Sequence, residues 1–236
     1  MTNTRYDSSF LALPFYKSHP YMLPFVGNDY DFPKHKKLLL IGESHYMPAD
    51  STVHHDAAKW YNGTPELSED ERDWCNTRGT REGKSGRFGK EIDRCLNLVL
   101  PSGGNGWHQV AFFNYFLRPA DDRQSIEDLW KAHGGQDLDR EFAIKNFIQV
   151  LEILKPDLLV FLSSKACACA EEQDYPKFFG GNLWDWTARH GIDYCYTMHP
   201  SSAHWNMPMP AKYTKANGLT SCEFFCKWLK EKWVKG

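Results

Sequence analysis

Residues 37–46 read KLLLIGESHY, and this stretch decides the fold. A short, continuous apolar run suits a strand covered on both faces, as in a parallel sheet. Polar residues follow Gly42 at once, as expected where a strand leaves the core at a rim. Three further segments share this character: 109–113 (QVAFF), 157–162 (DLLVFL) and 193–198 (DYCYTM). Helical spacing fills the intervals. Ile92, Cys95, Leu96 and Val99 mark a helix over 88–100, and Phe142, Phe147, Leu151 and Leu154 mark one over 140–154, stopped by Pro156. A third helix is expected over 164–172, with Ser163 or Ser164 as its cap, and a last one over about 219–234. Strand then helix, repeated, predicts a three-layer α/β/α sandwich around a mostly parallel four-stranded sheet.

Composition agrees with a packed protein. Of 236 residues, 42% are hydrophobic and 25% charged, which excludes disorder, collagen and a disulfide scaffold. The expectation is a single domain over 1–236, with a core of about 37–205 and an N-terminal extension over 1–36. The formal net charge is −2, so no global basic field announces nucleic acid. A local patch is what contacts phosphate, however. Arg78, Arg81, Lys84, Arg87 and Lys90 crowd one polar connection between Tyr46 and Phe88, a loop punctuated by glycines. Their expected role is phosphate contact.

Seven cysteines occur without a Cys-x-x-Cys pair, so neither a zinc site nor an iron–sulfur cluster is expected. Cys222 and Cys226, four apart, read as small hydrophobes on one helix face. His45, His54 and His55 lack a ligand spacing, and no metal or other cofactor is expected. With no secretory leader and no 18-residue apolar run, the expected setting is cytoplasmic or nucleoid-associated, without membrane, as a monomer.

Ligands of open parallel sheets bind outside the carboxyl ends of the strands. The first strand runs into Gly42, Glu43, Ser44, His45 and Tyr46. Asn114 ends the second. The third delivers Ser163, Ser164 and Lys165, and the fourth His199, Pro200, Ser201 and Ser202. Convergence of polar and aromatic groups on one rim points to a binding site there.

In this order LLLIGESHY, VAFFNYF, LKPDLLVFLSSKA and YTMHPSS resemble the motifs of the uracil-DNA glycosylase superfamily, over roughly residues 37–205. The resemblance implies that fold and hydrolysis of the N-glycosidic bond of a deaminated or modified base in DNA. It implies that His199 stabilises the leaving base, that Asn114 reads the base edge, and that Pro200 and Ser201 press on the DNA strand. Tyr46 matches a Tyr that excludes bulky 5-substituents. Phe88 matches a ring that stacks on the base, and Gly42 lies in the first motif. The chain departs from the pattern at Ser44, where one branch has a catalytic Asp, and at His45, where the motif has Pro. Glu43 and Asp50 are then the expected carboxylates for placing water. The departure leaves two alternatives open: a nucleic-acid or nucleotide binder with weak or no catalysis, and a hydrolase of a small nucleoside-like molecule.

Overall fold

The computed structural model describes residues 2–63, 65–79, 86–100, 105–172, 182–208 and 218–234. It is an α/β protein built on a mixed five-stranded sheet. In chain order its strands are β1 (Phe25–Val26), β2 (Leu38–Gly42), β4 (Val110–Asn114), β6 (Leu158–Phe161) and β7 (Asp193–Tyr196). They lie side by side as β1-β4-β2-β6-β7. The four expected strands pair in parallel, whereas β1 runs antiparallel to β4. The expected four-stranded sheet is thus corrected to five, because a two-residue edge strand carries too few side chains to show a pattern. A separate parallel pair, β3 (Tyr46–Met47) and β5 (Ala120–Asp121), continues from the ends of β2 and β4.

Register explains why the strands read as unbroken apolar runs. Leu39, Ile41, Ala111, Phe113, Leu159 and Phe161 point into one core, and their chain neighbours Leu38, Leu40, Val110, Phe112, Leu158 and Val160 into another. Helices supply the opposite wall of each. Helix α7 (Gln136–Leu154) and α8 (Ser164–Glu171) pack on the first core; α5 (Arg87–Val99) and α10 (Ser221–Leu229) pack on the second. Ser163 caps α8 through Ala166 N–H, as expected. Helix α7 starts a turn earlier than its apolar stripe, after Gly135, whose φ of +84° favours glycine. Helix α10 ends before its expected limit and widens into the π-turn Lys230–Val234.

The stretch between Tyr46 and Phe88, expected as one long loop, holds β3 and two helices, α3 (Ala57–Asn62) and α4 (Glu69–Trp74). Its charges mask short elements. Behind it, Arg118 and Asp139 form a fully buried ion pair, Nη2 to Oδ2 at 2.6 Å. Arg118 also donates to the backbone carbonyls of His54, His55 and Gly134, so it clamps the segment that precedes α3. Among the described residues no helix is long and apolar enough to cross a membrane.

Two buried histidines make stability pH-dependent. Burial pushes His19 and His54 down to about 4. An unfolded imidazole takes its proton near 6.5, so between the two values the unfolded chain binds more protons. Stability is therefore complete above about pH 6.5 and falls as pH drops towards about 4, on the order of 3 kcal/mol per histidine. Urea unfolding at about pH 7.5 and about pH 4.5 reads this effect; equal unfolding free energies at both values would contradict it.

Candidate functional site

Strands β2, β4, β6 and β7 are parallel, so their carboxyl ends share one edge of the sheet. Glu43 and Ser44 follow β2, Asn114 closes β4, and His199 stands three residues past β7. Beyond the sheet the first two chains stay bonded: Tyr115 N–H donates to Gly42 O at 3.1 Å, Phe116 to Glu43 O at 2.8 Å and Ala120 to His45 O at 2.8 Å. This seam opens a cleft of about 640 Å³ lined by Ser44, His45, Tyr46, Arg87, Phe88, Asn114, His199 and Ser201. A volume of that order suits a small organic ligand.

Each side chain is positioned by its element. Asn114 pairs in register with Gly42, on the sheet face of Phe112 two residues before it. A Cβ on Gly42 would lie 2.1 Å from Asn114 Oδ1, so the absent side chain of Gly42 is what gives the amide its place. Phe88, in the first turn of α5, sits 5.7 Å from the Phe112 ring and 5.1 Å from the His199 ring. His199 opens a turn in which Ser202 N–H donates to its carbonyl at 2.9 Å. Pro200 is buried in that turn, and Ser201 is exposed beside it.

The turn also sets the imidazole tautomer. The backbone N–H of Ser201 donates to His199 Nδ1 at 3.2 Å. A neutral ring that accepts at Nδ1 carries its proton on Nε2, so Nε2 is a donor. Asn114 offers both a donor and an acceptor on one amide plane. Burial raises the Tyr46 phenol above its ordinary range, with Glu43 and Asp122 adding to the effect, so Tyr46 stays protonated at neutral pH. His45 is buried, and its Nε2 lies 2.9 Å from the Thr77 hydroxyl, which donates onward to Met22 O.

Other expected site residues lie elsewhere. Glu43 does not line the cleft; its carboxylate accepts from Ser163 Oγ at 2.6 Å and steadies the start of α8. Asp50 is exposed and also outside the lining. Arg78, expected on phosphate, donates to both carboxylate oxygens of Asp7 at 3.0 and 2.6 Å and to Pro24 O at 3.2 Å. Arg81 and Lys84 fall outside the described residues. Arg87 is exposed on the cleft wall.

Sequence reasoning missed Asp70, Asp73 and Trp74, which α4 brings to the cleft. The signal was present: Ser68 and Glu71 are spaced as a capping box, and Ser68 Oγ accepts from Glu71 N–H while the Glu71 carboxylate accepts from Ser68 N–H. Asp70 and Asp73 are three apart on that helix, hence neighbours on its surface. Among the described residues they are the carboxylates that line the cleft.

Two groups among the described residues have metal-ligand spacing. One is His54, His55 and Asp121, where Asp121 Oδ1 lies 2.9 and 3.0 Å from the two Nε2 atoms and His55 stacks on His133. The other is three thiols between α5 and α10. Neither lines the cleft. No family model matches the chain, and no curated protein matches it at a significant level.

Proposed function

We propose that this chain has the uracil-DNA glycosylase type of α/β fold and hydrolyses the N-glycosidic bond of a deaminated or modified base in DNA. The observation that carries the reading is the shared cleft of His199, Asn114 and Phe88. An extruded base stacks on Phe88, while the Asn114 amide donates to one atom of its edge and accepts from another. When the C–N bond breaks, its electron pair goes to the base, and the base oxygen becomes anionic. The His199 Nε2–H donates to that oxygen as charge grows on it. Water adds to the sugar carbon and gives its proton to a carboxylate, and Asp70 or Asp73 supplies the function that Ser44 lacks. Tyr46 restricts the space beside the base.

A second reading, a hydrolase of free nucleosides, is favoured by two observations. Asp70 and Asp73 line the cleft, and Arg78 is held by Asp7 instead of facing phosphate. One experiment separates the readings: incubation with single- and double-stranded oligonucleotides carrying uracil, hypoxanthine or xanthine, and in parallel with the matching nucleosides. Base release from oligonucleotides supports the glycosylase. Release from nucleosides alone supports the second reading. Intact substrates with both wild type and Ser44→Asp overturn both and leave a binding protein.

A further inference from the structure

Cys222 and Cys226 stand one turn apart on α10 and face Cys95 on α5. Their three Sγ atoms lie within 4.8 Å of one another, with Cys95 and Cys222 at 3.4 Å. Ligand sulfurs about 2.3 Å from one tetrahedral zinc are spaced by roughly 3.8 Å. The three thiols therefore already stand at coordination spacing, without a disulfide among them.

A solvent-exposed cation borders this group. Arg94 Nη2 donates to Cys222 Sγ at 3.0 Å, and to Glu91 Oε2 at 2.8 Å. Trp205 Nε1 donates to the same carboxylate oxygen at 3.1 Å, which fixes the carboxylate and with it the guanidinium. Apolar packing of three small side chains does not call for a charged donor aimed at sulfur. An anionic sulfur does.

We propose that Cys95, Cys222 and Cys226 bind one soft divalent cation of the zinc type. Three thiolates and a divalent ion leave one net negative charge, and the Arg94 guanidinium, shared between Cys222 and Glu91, stands against it. Its N–H to sulfur is the outer hydrogen bond that metal-bound ligands commonly receive. Binding displaces the thiol protons to solvent, so affinity rises with pH. Cys226, the least buried of the three, marks the side on which water can complete a fourth position. The ion would be structural. It would tie α5, which begins at Arg87 and Phe88, to α10, whose Ser221 Oγ accepts from Met198 N–H next to His199. The two cleft walls would then be joined behind the cleft, whatever that cleft binds.

The test uses the full chain, reduced and stripped with chelator, titrated with Cd²⁺ as probe. One equivalent should produce a sulfur-to-cadmium charge-transfer band and raise the thermal midpoint. Cys226→Ala, the change least disturbing to the core, should remove most of the band, and Cys95→Ala should do the same. Arg94→Gln should keep the band and weaken binding by about 10–100-fold. Cys75→Ala and Cys167→Ala, buried thiols outside the group, should leave the band unchanged. Failure of the folded wild type to take up Cd²⁺, or a band that survives Cys226→Ala and Cys95→Ala alike, overturns the proposal.

Discussion

His199→Ala is expected to slow base release by about 10²–10³-fold, the loss typical of one preorganised donor to a developing oxyanion. Under the proposed function, the ring is oriented before any substrate arrives. Ser201 N–H holds Nδ1, so Nε2 carries the proton, and Phe88 packs at 5.1 Å against the ring. The fold should survive, because His199 lies in a turn past β7 and belongs to neither core. His199→Gln, which keeps a donor at a different reach, should recover part of the rate. Ser44→Asp should raise the rate if position 44 faces the sugar. A wild-type rate in His199→Ala, read as abasic sites cleaved by alkali, would falsify the assigned role.

Arg118→Met is expected to cost 3–5 kcal/mol of stability, the usual result of stranding one partner of a buried ion pair. Both side chains are wholly inaccessible. Among the described residues, Asp139 would keep the donors Tyr61 OH and Trp130 Nε1, each at 2.7 Å, and no cation. The His54 and His55 carbonyls would lose their shared donor as well. At this chain length each kcal/mol lowers Tm by about 2–4 °C, so the variant should melt roughly 10 °C lower. Replacing both partners with apolar residues, as Arg118→Met with Asp139→Leu, should return part of the loss. A single-variant cost below about 1 kcal/mol would mean that water reaches the pair.

The parts of the fold legible in the sequence are those governed by near neighbours. Strands β2, β4 and β6 are apolar on both faces, so each announces itself within four or five residues. A parallel sheet then assigns its ligand rim to whatever follows each strand, which singled out Ser44, Asn114 and His199 together. What stayed hidden depends on distant pairing. Arg78 looked available for phosphate until the fold brought up Asp7, 71 residues away. Cys222 looked like a small hydrophobe until Cys95, 127 residues away, came to 3.4 Å. Glu43, adjacent to the motif, turned to Ser163 because β6 lies beside β2. Helix α4 is a different case. Its capping box is local, but its charged surface lacks the apolar stripe by which helices are usually found, and Asp70 and Asp73 went unread with it.

The central claim is that His199, Asn114 and Phe88 hold one base between them. Two-dimensional NMR of ¹⁵N-labelled protein titrated with free uracil, hypoxanthine or xanthine tests it without depending on turnover. The expected result is a saturable shift, for at least one base, of the His199 ring nitrogens and the Asn114 side-chain amide with a single dissociation constant, the His199 proton remaining on Nε2. Shifts confined to residues outside the cleft, or two unrelated binding curves for His199 and Asn114, would contradict it.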